Sequence, residues 1–176
     1  MSYAEELSDS MEWMAQDSRV VFLGQAVACP GTGMTKSFKY INKERLIEMP
    51  VAEEMQMGIS IGLALHGFVP VSVYPRWNFL LLATNQLVNH LDKIKIMSHD
   101  CYRPKVIIRT SIGSKSPLDP QCQHTGDFTE AFRHMLHTVE IIRLERPEEI
   151  LPAYTRALLR DDGRSTILVE YGDYLK

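Results

Sequence analysis

Apolar residues along this chain gather in short β-branched runs separated by longer stretches of helical period. Residues 19–24, 70–74, 105–109, 139–144 and 166–170 are nearly continuous in Val, Ile, Leu and Phe. Such runs mark strands buried on both faces, as in a parallel sheet. Between them, residues 52–66, 77–97, 128–137 and 147–161 read as helices. The alternation predicts an α/β fold: a mainly parallel sheet of about five to six strands with helices on both faces. In such sheets ligands sit beyond the carboxyl ends of the strands, so candidate chemistry is sought there.

The boundaries of the 52–66 helix are well signed. Pro50 suits a first helical turn, and Gly67 suits a left-handed residue just past the end, with Pro70 soon after. Gly58 and Gly62 stand four apart on one face of this helix. Each costs roughly 1 kcal/mol against Ala, so close approach of another backbone is expected there. That backbone belongs either to the same domain or to a second subunit. In the next helix Phe79, Ala83, Leu87, Leu91 and Ile94 form an apolar stripe. The longest irregular stretch, residues 111–127, is of the length that is usually functional or disordered; its Lys115 is one candidate for meeting an anionic group.

Composition narrows the classes. A chain of 176 residues, 45% apolar and 23% charged, fits one globular domain. We expect that domain over residues 18–176, after a polar N-terminal extension, 1–17, that lacks the blocks of a signal peptide. The net charge is −3 and no five like charges run together, which argues against nucleic acid or an acidic membrane as partner. The most apolar stretch, 59–74, is broken by His66, Gly67 and Pro70 and falls short of the ~20 residues of a membrane span. Three cysteines without a CxxC pair suggest neither a disulfide framework nor a zinc knuckle, and the cytoplasm is the expected compartment.

Several local motifs are weak. Pro30-Gly-Thr-Gly-Met-Thr-Lys36 hints at a phosphate cradle, but Met34 and Thr35 separate Gly33 from Lys36, and the nucleotide-binding register fails. His134 and His137 have no third ligand placed by sequence, so no metal site is expected in this chain. Cys122 and His124 lack an orienting third group. Glu53 and Glu54 open the glycine-bearing helix, where acidic residues ordinarily complement the helix terminus.

The run from Pro50 to Pro70, Pro-Val-Ala-Glu-Glu-Met-Gln-Met-Gly-Ile-Ser-Ile-Gly-Leu-Ala-Leu-His-Gly-Phe-Val-Pro, changes that weighing. It resembles the pyrimidine-binding domain of transketolase-like thiamine diphosphate enzymes, in particular the beta subunit of pyruvate and branched-chain 2-oxo acid dehydrogenases. The resemblance continues through Tyr74-Pro-Arg-Trp-Asn-Phe79, Asn85-Gln-Leu-Val-Asn-His90, Val106-Ile-Ile-Arg-Thr110 with Gly113, Gln123-His124 and Arg160-Asp161. It implies that Glu53 hydrogen-bonds the aminopyrimidine of thiamine diphosphate and so activates the cofactor's thiazolium carbon as a nucleophile. It further implies that Phe79 packs on that ring and that His124 lies near the substrate, stabilising or protonating developing charge. Glu54, without a counterpart acid, reads as surface or interface.

Three positions depart from the family pattern. Gln25 replaces an acidic residue linked to communication between paired sites, Leu82 replaces a polar glutamine of the cofactor pocket, and Pro75 replaces an apolar residue of the pocket floor. The sequence shows neither the family's C-terminal domain nor its diphosphate half, whose Gly-Asp-Gly signature would supply Mg²⁺ ligands. The resemblance therefore implies a separate alpha-like chain that binds diphosphate and Mg²⁺, in an assembly of two alpha and two beta chains. The expected chemistry is decarboxylation of a 2-oxo acid followed by carboligation, or ketol transfer from a ketose. An oxidative dehydrogenase subunit and a non-catalytic scaffold are the alternatives.

Overall fold

Six strands pair in one all-parallel sheet of order β2-β1-β3-β4-β6-β5. They are β1 (Val20–Gly24), β2 (Leu46–Glu48), β3 (Val69–Tyr74), β4 (Ile107–Ile112), β5 (Glu140–Arg143) and β6 (Thr166–Tyr171). The computed structural model describes residues 1–116 and 118–174; Pro117 of the long loop and the last two residues of the expected domain lie outside them. Alternation along the strands splits the core into two layers. Val69, Val71, Val73, Ile107 and Leu168 face one layer, and Tyr74, Ile108, Ile167 and Val169 face the other.

The first layer is built by α1 (Tyr3–Met14) and α6 (Pro147–Leu159). This corrects the expectation of a polar extension over 1–17. Tyr3, Leu7, Met11 and Met14 recur at helical spacing and are all buried, so the extension is a core helix whose acidic residues occupy its outer face. A Ser2–Glu5 capping box starts it, and the Tyr3 hydroxyl donates to the Leu144 carbonyl at 2.7 Å.

The second layer holds α2 (Glu53–Leu65), α5 (Thr129–Met135) and the chain from residue 77 to 97. The latter is not the single helix expected. It breaks into α3 (Trp77–Leu80), a tight turn over Leu81–Ala83, a wide turn over Gln86–Leu91 and α4 (Ile94–Met97). The wide turn brings Asp92 to the buried side, where Oδ1 accepts N–H bonds from His137 (2.8 Å), Thr138 (2.7 Å) and Val139 (3.3 Å). Burial alone would raise the Asp92 carboxyl; the Lys93 ammonium and these amides outweigh it and hold the group below its usual range.

Edge strand β2 is too short to announce itself in the hydrophobic pattern, while Gly24 is dictated by packing. A Cβ there would lie 2.4 Å from the Val73 carbonyl oxygen. Among the described residues no helix is long and apolar enough to cross a membrane.

Candidate functional site

The carboxyl ends of β1, β3, β4 and β6 open into a cavity of about 800 Å³. Its lining includes Lys36 from the segment after β1, Pro75, Arg76 and Phe79 after β3, Ser111 at the end of β4 and Gly172 after β6.

The wall after β1 is fixed by the chain's own carboxylates. Glu48 accepts backbone N–H bonds from Ala26 (2.6 Å), Val27 (3.0 Å), Ala28 (2.8 Å) and Cys29 (3.2 Å). Desolvation would raise the Glu48 carboxyl, but the four amides draw it below the usual carboxylate range. The amide cradle hinted at by the glycine-rich loop thus exists a few residues earlier, and an internal anion fills it. The following short helical segment, Gly33–Phe38, is anchored from beneath. Arg109 Nη1 donates to Ser37 Oγ at 2.6 Å, while Arg109 Nε and Nη2 bind the two oxygens of Glu170 at 2.5 and 3.0 Å. Both partners of that pair are fully buried, and the Tyr154 hydroxyl donates to Glu170 Oε1 at 2.8 Å.

The opposite wall is stitched to the long loop. Arg76 Nη1 donates to the carbonyls of Ser114 (3.2 Å) and His124 (2.9 Å), and Asn78 Nδ2 donates to the Gln123 carbonyl (3.0 Å). Ser111 Oγ donates to the Pro75 carbonyl at 2.7 Å. These bonds bring the His124 ring within 5.1 Å of the Phe79 ring, centroid to centroid. His124 Nδ1 is buried and has no hydrogen-bond partner among the described residues.

Of the residues singled out from sequence, Pro75 and Phe79 line the cavity and His124 packs against Phe79. Glu53 stands outside that lining as the first residue of α2, 9% exposed, and no group among the described residues hydrogen-bonds or ion-pairs with its carboxylate. The Tyr74 hydroxyl donates to the Glu53 carbonyl at 3.2 Å. Burial drives the Tyr74 phenol well above its usual range, and the Glu53 charge adds to the rise. Leu82 is 61% exposed and lies outside the lining. Glu54 is on the surface, accepting from Asn85 and Gln86. Sequence reasoning missed Lys36 and Arg76 as lining residues, although both fall within motifs it quoted. Lys115 is not among the lining residues, and no group of three or more His, Cys, Asp or Glu suited to a metal ion occurs among the described residues.

The two glycines of α2 resolve one of the open alternatives. A Cβ on Gly58 or Gly62 would meet nothing within 4 Å, so neither accommodates a neighbour inside the domain. They share an open face with Met55, Ile59 and Leu65, all exposed.

Known proteins resemble this chain in sequence and in fold. The chain is 30% identical over 118 residues to a 2-oxoisovalerate dehydrogenase subunit beta of Bacillus subtilis, covering 64% of this chain and 36% of that protein. It is 32% identical over 126 residues to a 3-methyl-2-oxobutanoate dehydrogenase subunit beta of Mycobacterium tuberculosis, covering 68% and 34%. It is 29% identical over 124 residues to a mitochondrial pyruvate dehydrogenase E1 component subunit beta of Drosophila melanogaster, covering 69% and 33%. The matches span about a third of these relatives' lengths. A solved split-gene transketolase, described as an inactive beta4 tetramer, shares the fold with a TM-score of 0.74 at 15% identity, over 98% of this chain and 52% of that one. The transketolase pyrimidine-binding domain family matches residues 4–173, nearly the whole chain, and the chain belongs to that family.

Proposed function

We propose that this chain is the pyrimidine-binding, beta-like component of a thiamine diphosphate enzyme that decarboxylates a 2-oxo acid. The observation that carries the reading is Glu53: a residue only 9% exposed at the start of α2 whose carboxylate has no hydrogen-bond or ion-pair partner among the described residues. A carboxylate so placed is available to a ligand or a second chain. An aminopyrimidine ring nitrogen is a suitable complement, because a carboxyl can share a proton with it. Phe79 offers a flat face to the cavity, and the unpartnered His124 Nδ1 beside it is a free donor or acceptor. The residues present therefore fit the cofactor, which when bound supplies the carbon nucleophile that attacks the substrate carbonyl.

In this reading Glu53 holds the proton shared with the pyrimidine, Phe79 and Pro75 position the ring, and His124 stabilises or protonates charge near the substrate carbonyl. Leu82, exposed in the isolated chain, stands at the position where the family resemblance puts a polar cofactor contact, which an apolar side chain does not supply. Diphosphate and Mg²⁺ belong to an alpha-like partner, and the open glycine face of α2 supports assembly of chains around a shared site. The dehydrogenase names of the relatives favour oxidative transfer of the acyl group as a second reading beside carboligation or ketol transfer.

The test is Glu53→Gln in the complex reconstituted with the co-purifying partner, followed by 2-oxo acid consumption. Turnover should fall by orders of magnitude with assembly intact. An unchanged rate refutes the assignment, and a wild-type complex that binds no thiamine diphosphate makes the chain a scaffold. Product analysis with an aldehyde acceptor and with an electron acceptor separates carboligation from oxidation.

A further inference from the structure

We propose that Tyr74 and Gln56 are positioning residues for Glu53: from inside the domain they clamp the first turn of α2 to the ends of β1 and β3. The inference rests on Glu53 being the group that shares a proton with the aminopyrimidine. It gives a role to two residues that the family resemblance left without one.

The first N–H groups of a helix have no intrahelical partner, and its first turn frays unless a cap or a tertiary contact holds it. Ala52 stands at the cap position of α2 and brings no side-chain acceptor, so Glu53, the first helical residue, lacks the usual cap. Two buried donors hold that turn instead. The Tyr74 hydroxyl, on a residue 1% exposed at the end of β3, donates to the Glu53 carbonyl at 3.2 Å. Gln56 follows one turn later and is 2% exposed. Its Nε2 donates to the Val73 carbonyl (3.0 Å), to Ser72 Oγ (3.1 Å) and more weakly to the Leu23 carbonyl (3.4 Å). Leu23 and Ser72 are partners across β1 and β3, so one side-chain amide ties both strand ends to the helix.

Ser60, fully buried a further turn along α2, completes the network: its hydroxyl donates to the Gln56 carbonyl at 2.8 Å and lies 3.0 Å from Ser72 Oγ. Apolar side chains would fill this space without polar groups to satisfy. Buried polar groups bonded to one another instead rigidify the place where they meet, because their bonds form only in one register of helix on strands. The Glu53 backbone is thereby held through its own carbonyl and through Gln56, and only the side-chain rotations of Glu53 remain free. A carboxylate on a held turn loses less freedom on meeting its ligand than one on a fraying turn, and small displacements of such a group are costly in rate.

The experiment compares Tyr74→Phe and Gln56→Met with wild type, as the full chain and as the complex reconstituted with the co-purifying partner. Thermal melts identify any variant that has lost its fold. In the full chain, the amide of residue 56 bonds the Ala52 carbonyl at 2.9 Å. Its hydrogen exchange should quicken in Tyr74→Phe by about tenfold relative to the β6 amides, the effect of losing one hydrogen bond locally. In the complex saturated with thiamine diphosphate, each variant should slow deuterium exchange at the cofactor's thiazolium C2 by about tenfold or more. In a Glu53→Gln background the same substitutions should slow it no further, because they act through Glu53. Equal slowing with and without Glu53, or unchanged amide and C2 exchange in both variants, overturns the proposal. Failure of the cofactor reading has a different signature: Glu53→Gln itself would leave C2 exchange as in wild type, and the amide exchange of Tyr74→Phe would alone decide whether the turn is clamped.

Discussion

Replacing Asp92 with Asn tests how a buried carboxylate organises the second layer. Oδ1 receives two short backbone bonds, from His137 at 2.8 Å and Thr138 at 2.7 Å, and Oδ2 meets the Lys93 ammonium at 2.6 Å. Hydrogen bonds to a charged acceptor are worth about 1.5–3 kcal/mol and neutral ones about 0.5–1.5 kcal/mol, so neutralisation costs roughly 1 kcal/mol for each short bond. An amide group turned toward Lys93 adds to this, and the expected loss is about 2–3 kcal/mol. Asp92→Ala, which leaves the amide donors without their acceptor, should cost about 3–5 kcal/mol. Urea unfolding at neutral pH measures both. The pH dependence has a definite sign. The folded-state Asp92 carboxyl titrates below its ordinary value, so its contribution is complete above about pH 4 and disappears as pH falls through the folded value. The gap between wild type and Asp92→Asn should therefore hold from pH 7 to about 5 and narrow below 4. A loss under about 0.5 kcal/mol at pH 7, or a gap that widens on acidification, would refute the reasoning.

Glu170→Gln should destabilise the chain by about 3–5 kcal/mol, because it leaves the Arg109 guanidinium buried without its counter-ion; a thermal midpoint within a degree of wild type would contradict this. Gly24→Ala should cost about 2–4 kcal/mol, since its Cβ would overlap the Val73 carbonyl oxygen; an unshifted urea midpoint would show that the strand end relaxes freely. Gly58→Leu and Gly62→Leu should leave the stability of the single chain unchanged or raise it by up to about 1 kcal/mol. The same substitutions should weaken association, read by light scattering after gel filtration, and unchanged assembly would remove the α2 face from the interface.

The layered sheet was legible because its central strands are apolar on both faces and its helices carry intact periodicity. The failures have physical causes. Along α1 the buried positions are Tyr3, Leu7, Met11 and Met14, and the acidic residues between them conceal the stripe in any average of polarity. The 77–97 stripe kept its period at Ala83, Leu87 and Leu91, but turning Asp92 inward required a wider turn that periodicity does not encode. Strand β2 is three residues long and pairs on one side only. At the site, Phe79 and Pro75 were reachable through resemblance, whereas Lys36 and Arg76 become neighbours of one cavity only when the ends of β1 and β3 lie side by side.

The sheet order also constrains how the chain matures as it is made. Strand β6, which follows both in the chain, inserts between β4 and β5, and among the described residues β5 pairs with no other strand. The first helix, which already meets Met34 and Phe38, completes its packing later, against α6 and the Leu144 and Tyr171 backbone. A nascent chain stopped before residue 166 would present the edges of β4 and β5 to solvent. Closure of the sheet is thus deferred until the ribosome has delivered the chain through Tyr171. The exposed interval is the period in which holding by a chaperone would most raise the yield of native protein.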